Sequence, residues 1–129
     1  MKFVLDTHSL IWYLEKNPKL GLQKVSLIED SNNQILVSMV SLWEISIKSG
    51  LGKLNLPLGL SISQLEQHLL GLDFQILGIL TVHLDQLPFL PMRHKDPFDR
   101  LLISQTKTEQ ATLLTDDAAI QQYTEIQCV

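Results

Sequence analysis

Short continuous apolar runs alternate along this chain with longer stretches whose apolar residues recur at helical spacing. KFVL at 2–5, ILVS at 35–38, FQIL at 74–77 and ATLLT at 111–115 are the runs. Runs of this length beside polar or turn residues read as strands buried on both faces. THSLIWYLEK follows the first run with Leu10, Ile11 and Leu14 on one face, and Pro18 and Gly21 break it. A second helix is predicted from about 21 to 30, then a turn at SNNQ. Ser38 is placed to cap a helix over 39–49, with Gly50 as its stop. GLGKLNLPLGL reads as an irregular connection. Residues 61–71 form a further helix with Leu65, Leu69 and Leu72 aligned. TVHLDQL is a short helix ended by Pro88 and Pro91, and MRHKDPFD is a polar loop leading into a helix over about 98–109. DDAAIQQY reads as a short helix and IQCV as a last edge strand.

Strand and helix thus alternate from end to end. That order predicts an α/β fold in three layers, α/β/α, around a short, mostly parallel central sheet. The length of 129 residues suits one domain over 1–129, and no repeat or linker divides it. The apolar blocks all fall short of the roughly 18 residues that span a bilayer, so no membrane segment is expected. Asp6 and His8 interrupt the first apolar run and no small-residue cleavage site follows, which predicts a mature cytoplasmic start rather than a signal peptide. The single cysteine, Cys128, forms no intrachain disulfide; it fits a reducing compartment and reads as a small hydrophobe in a strand. The net charge of −4 argues against a sequence-independent electrostatic grip on nucleic acid. It leaves open an enzyme whose acids need a cation before they face phosphate.

The acids gain meaning from the predicted sheet, because open parallel sheets bind ligands at the carboxyl ends of their strands. Asp6 directly follows KFVL, and Glu44 lies two turns into the helix after ILVS. Asp99 starts the helix after HKDPFD, and Asp116 and Asp117 follow ATLLT. Asp6, Glu44, Asp99 and Asp117 are therefore the candidate catalytic and metal-holding set, with Asp116 and Asp96 as secondary candidates. Hard oxygen ligands without a His or Cys set point to Mg²⁺ or Mn²⁺ rather than zinc.

Each acid also has an ordinary reading. Asp6 is placed to cap a helix, and Glu44 to pair with Lys48 at i,i+4. The apolar neighbours Leu42, Trp43, Ile45 and Ile47 argue against a simple exposed pair. Asp96 suits an N-cap before Pro97, and Asp99 then falls in a first turn where the helix dipole favours any acid. At TDD, Thr115 or Asp116 is placed to cap, and one of the two acids is expected to be only that. Of the other polar residues, His8, Lys48, His94 and Arg100 are candidate phosphate contacts, although each is also read as a surface charge or ordinary histidine. The histidines 8, 68, 83 and 94 show no His-x-x-x-His spacing, and GLGK lacks the spacing of a phosphate loop.

LDTHSLIW at 5–12, SLWEISIKSGLGKL at 41–54, HKDPFDRLLISQ at 94–105 and LLTDD at 113–117 resemble the signature segments of PIN-domain proteins. Within that group they are similar to the VapC-type toxins of bacterial toxin–antitoxin pairs. The resemblance implies a PIN fold, Mg²⁺- or Mn²⁺-dependent endoribonuclease activity on RNA, a homodimer, and inhibition by a cognate antitoxin. By position, Asp6 matches the acid after the first strand, Glu44 that of the W-E-I segment, and Asp99 that of the D-x-L-I helix. Asp117 matches the fourth acid by its spacing from Thr115, and the extra Asp116 makes that assignment ambiguous. The expected chemistry is phosphodiester hydrolysis by a metal-activated water, leaving a 5′-phosphate, with Thr7 and Thr115 orienting carboxylates. Loops around 50–60 and 86–96 are expected to set sequence choice. The rival reading is a catalytically silent binding module. A receiver domain and an Asp-nucleophile phosphatase are disfavoured, since their paired acids and D-x-D are absent.

Overall fold

The computed structural model describes residues 1–129. The chain folds as β1 (Lys2–Leu5), α1 (Thr7–Leu14), α2 (Leu22–Glu29), β2 (Gln34–Ser38), α3 (Met39–Gly50), α4 (Ile62–Gly71), β3 (Gln75–Leu77), α5 (Thr81–Gln86), α6 (Pro97–Thr108), β4 (Thr112–Leu114), α7 (Ala118–Gln121) and β5 (Gln127–Cys128). Single turns of 3-10 helix occupy Pro18–Leu20, Pro57–Gly59 and Leu87–Phe89. The sheet order is β3-β2-β1-β4-β5, and every pairing is parallel. The sheet is thus wholly rather than mostly parallel, because IQCV returns beside β4 in the same direction. No helix is long and apolar enough to cross a membrane.

Two apolar clusters cover the two faces of the sheet. Phe3 and Leu5 of β1 join Ile35, Val37 and Leu114 in the larger cluster, with α1, α3 and α4 packed over them. Val4 points the other way and joins Leu36 and Leu113 beneath Leu102 and Ile103 of α6, Ile120 and Tyr123. This is strand alternation with both faces buried, which explains why the strands read as continuous apolar runs. Cys128 is half-buried in β5, and burial, followed by the charge of Asp6, pushes its thiol up. That matches a packing residue rather than a reactive thiolate.

Helix starts carry the caps that the sequence predicts. Ser38 Oγ accepts from Val40 N at 2.9 Å; at α4 a capping box of Ser61 with Gln64, which the sequence reading did not name, closes the start. Helix α4 begins one residue after the predicted start, and Leu72 falls past its end, where it is exposed while Leu65 and Leu69 are buried. Helix α1 stops at Leu14, two residues before the predicted end, as Lys16 turns to a positive φ. Below the sheet, Ser38 Oγ donates to Gln105 Oε1 and Gln105 Nε2 donates to Gly78 O at 3.1 Å, tying α6 to the ends of β2 and β3.

Leu5 is completely buried on the central strand. Leu5→Ala is expected to cost about 2–5 kcal/mol, read as a lower urea midpoint at unchanged slope. Leu22→Ala, at a position 86% exposed, is expected to change stability by less than about 0.5 kcal/mol.

Candidate active site

Strand β1 lies where the chain order reverses, between β2 and β4, and crevices open at such points beyond the strands' carboxyl ends. Asp6 N, just past β1, donates to Leu114 O of β4 at 3.1 Å. This bond holds the segment leaving β1 against the one that leads to Asp117. A pocket of about 140 Å³ opens here. Its walls carry five carboxylates, Asp6, Glu44, Asp96, Asp99 and Asp117, together with Lys48, His8, His94 and Thr7, and no hydrophobic residue.

Local structure explains how each acid reaches the pocket. Asp6 caps α1, its Oδ1 accepting from Ser9 N at 2.8 Å. Asp96 caps α6, accepting from Phe98 N at 2.9 Å and from Asp99 N at 3.3 Å, with Pro97 at the first helical position. Asp117, rather than the expected Thr115 or Asp116, caps α7, accepting from Ala119 N at 2.8 Å, because the helix begins one residue later at Ala118. Its own N–H donates to Thr115 Oγ1 at 3.0 Å. Glu44 enters from the middle of α3 and is only 4% exposed. Thr7 Oγ1 donates to Glu44 Oε1 at 2.6 Å, and Lys48 Nζ donates to Oε2 at 2.5 Å. Glu44 therefore both faces the pocket and makes the i,i+4 pair. The Trp43 and Phe98 rings pack edge to face, centroids 4.8 Å apart. These rings directly precede Glu44 and Asp99, so the contact sets the spacing of α3 and α6 where both acids emerge.

The electrostatics are those of crowded, partly buried acids. Burial raises the Asp6 carboxyl above its usual range, against hydrogen bonds from Thr115 and Ser9 that lower it. Burial also raises Asp99, to about 6; the hydrogen bond from His94 opposes this, and the charges of Asp96 and Glu44 add to it. His94 Nε2 lies 2.7 Å from Asp99 Oδ2. Lys48 is held above its ordinary value, chiefly by its hydrogen bond to Glu44. It is the one ammonium in the pocket. Five carboxylates against one ammonium leave an excess of negative charge that a divalent cation would offset, and the donor set of carboxylate oxygens suits Mg²⁺ or Mn²⁺.

Two of the sequence candidates stand elsewhere. Arg100 lies outside the pocket lining, and its guanidinium donates to Pro91 O, Leu87 O, Leu90 O and the Tyr123 hydroxyl. A planar fork with several donors suits that stapling of a loop. Asp116 is exposed and pairs with Lys24 of α2, away from the pocket that Asp117 lines. Tyr123 is a residue the sequence did not flag. Its buried hydroxyl receives the His94 N–H at 3.0 Å as well as Arg100, and so fixes the loop that carries His94. No local spacing links positions 94, 100 and 123. His83 is fully buried. Its Nδ1 accepts from Leu80 N at 2.9 Å, which makes it a core histidine. A larger cavity of about 550 Å³ beside Trp12, Tyr13, Leu20 and Val25 is mostly apolar and holds one acid, Glu29, so it lacks the chemistry of the smaller pocket.

The sequence profile of the PIN domain family matches residues 3–126. The chain belongs to the PIN domain family. Solved structures agree on the fold. VapBC2 from Rickettsia felis, bound to a DNA fragment from its promoter, superposes with a TM-score of 0.74 at 20% identity, over 100% of this chain and 98% of that one. DNA-bound VapBC from Salmonella typhimurium gives 0.71 at 15% identity, over 100% and 97%. VapBC-1 from nontypeable Haemophilus influenzae gives 0.65 at 23% identity, over 100% and 97%. Comparison with curated protein sequences finds no match. The three-layer expectation holds: this PIN domain has a parallel five-stranded sheet between helical layers.

In this PIN domain the ionised Asp99 carboxyl opposes folding. The folded value of Asp99 lies above the ordinary 3.8, so the folded state holds the proton more tightly than the unfolded chain does. The group's contribution is therefore most favourable below about pH 4, falls as pH rises to about 6, and stays unfavourable above. Allowing for solvent screening, Asp99→Asn is expected to stabilise the protein in EDTA by about 1–2 kcal/mol at pH 7.5 and by nearly nothing at about pH 3, read from urea unfolding at both pH values.

Proposed function

We propose that this PIN domain is a divalent-metal-dependent endoribonuclease and the toxin of a toxin–antitoxin pair. The observation that carries the reading is the all-polar pocket in which carboxylates from four segments meet beside one ammonium. Asp6, Glu44, Asp99 and Asp117 would hold Mg²⁺ or Mn²⁺; Asp99 and Asp117 have ligand atoms within 4.8 Å of one another, and Asp6 and Glu44 line the same pocket. Asp96 contributes negative charge while capping α6. An ion held there would supply a more acidic water as nucleophile near neutral pH and would offset charge on the phosphate and the leaving 3′ oxygen. Thr7 fixes the rotamer of Glu44 through the 2.6 Å hydrogen bond, and Thr115 holds the backbone of Asp117. Lys48 and His8 lie on the pocket wall, where an ammonium and an imidazole contact a scissile or flanking phosphate. The likeness to complexes named VapBC supports a toxin held by an antitoxin. RNA as substrate rests on the sequence segments shared with VapC-type toxins.

Purified, antitoxin-free protein is expected to cleave RNA with Mg²⁺ or Mn²⁺ and to stop with EDTA. Asp6→Asn and Asp99→Asn are each expected to lower the rate by about 100-fold or more. Asp99→Asn is informative because greater stability of the fold should accompany the loss of activity. Cleavage unaffected by both substitutions contradicts the proposal and favours a binding module.

A homodimer belongs to the same reading. Met39, Trp43 and Ile47 recur at i, i+4 and i+8 along α3 and are 36%, 50% and 39% exposed. Such an apolar stripe is suited to cover by a second copy. Light scattering is expected to give twice the chain mass for the wild type and the monomer mass for Trp43→Glu; a monomeric wild type contradicts this part.

A further inference from the structure

The candidate metal set has so far contained only oxygen. We infer that His94 supplies a nitrogen ligand to the same metal, and that the site consequently favours Mn²⁺ over Mg²⁺. The inference rests on the proposed metal site and adds a residue to it. Ligand atoms of His94, Asp99 and Asp117 all lie within 4.8 Å of one another. Donors bound to one ion at about 2.1–2.2 Å are at most about 4.4 Å apart, so the three side chains need close by only a few tenths of an ångström to share one coordination sphere. The imidazole reaches the cluster by Nε2, 2.7 Å from Asp99 Oδ2; as a ligand Nε2 is the unprotonated nitrogen and Nδ1 carries the proton, so ligation replaces the hydrogen bond to Asp99. Its backbone is fixed: the His94 N–H donates to Tyr123 Oη, which also accepts from Arg100 Nη1 at 3.1 Å. Arg100 in turn donates to Pro91 O at 2.9 Å and Leu87 O at 3.2 Å. Tyr123 is 1% exposed, so the loop is anchored in the core beneath α6. This anchoring presets the imidazole's position, as a ligand requires. A nitrogen donor favours Mn²⁺ over Mg²⁺, which prefers oxygen and retains its waters, and by the order of divalent affinities it raises Fe²⁺ and Zn²⁺ above both.

The test uses Mn²⁺ alone on the purified, antitoxin-free full chain. Pulsed EPR of the bound ion is expected to show modulation from a coordinated ¹⁴N in the wild type and none in His94→Gln. Glutamine retains an amide that can donate to Asp99 but offers no imidazole. By calorimetry, His94→Gln is expected to weaken Mn²⁺ binding about 10-fold or more and Mg²⁺ binding less than about threefold. His94→Asn serves as a second variant if the first misfolds, and the wild-type spectrum needs no variant. Bound Mn²⁺ without ¹⁴N modulation, but lost on Asp6→Asn, overturns the histidine ligand and leaves the acid site intact. Modulation that persists in His94→Gln points to His8 and also overturns it. Equal losses for both ions mark His94 as a positioning residue for Asp99 and overturn the inference. No Mn²⁺ binding to the wild type overturns the inference together with the metal site.

Discussion

Carboxylates that share a pocket repel one another, and two of them 4 Å apart do so by about 4 kcal/mol at an effective dielectric of 20. Here Asp99 and Asp117 place ligand oxygens within 4.8 Å, and Asp6, Glu44 and Asp96 line the same small volume. The conflict is visible at Asp99, whose carboxyl is raised by burial and further by the charges of Asp96 and Glu44, while burial alone raises Asp6. Lys48 relieves part of it through Glu44. Much of the architecture around the pocket can be understood as the scaffold that holds these charges together. Parallel pairing of β1 with β4 brings the segments bearing Asp6 and Asp117 side by side. The Trp43–Phe98 contact does the same for α3 and α6, and the Arg100–Tyr123 staple holds the loop that carries His94.

The ordinary and the functional readings of the acids turn out to be compatible. Asp6, Asp96 and Asp117 each cap a helix through one oxygen and also line the pocket. A cap fixes the side chain by a backbone hydrogen bond, which makes it a rigid mount for a ligand atom. Glu44 is both half of an i,i+4 pair and a buried pocket residue. A capping or pairing role is thus poor evidence against function when the helix starts at the carboxyl edge of a parallel sheet.

Much of the fold was legible because its signals are local. Continuous apolar runs mark strands buried on both faces, and Ser38, Asp96 and Pro97 mark helix starts. The convergence of Asp6, Glu44, Asp99 and Asp117 followed from one inference, that alternating elements make a parallel sheet with a common edge. What escaped depends on contacts distant in sequence. Arg100 sits beside a site acid, yet its donors turn to the 87–91 loop and to Tyr123, a partner 23 residues away. Asp116 and Asp117 are indistinguishable in sequence, and it is Lys24 of α2 that draws Asp116 aside. His94 shows no metal spacing because the residues beside it come from the start of α6 and the end of β4.

The central claim is that the crowded acids form a divalent-metal site. Anomalous diffraction from crystals grown with Mn²⁺ tests it most directly. The account predicts an anomalous peak inside the pocket, within about 2.5 Å of carboxylate oxygens of at least two of Asp6, Glu44, Asp99 and Asp117. A pocket without a peak at millimolar Mn²⁺ near neutral pH, its acids linked only to Lys48, His94 and their helix caps, would contradict it.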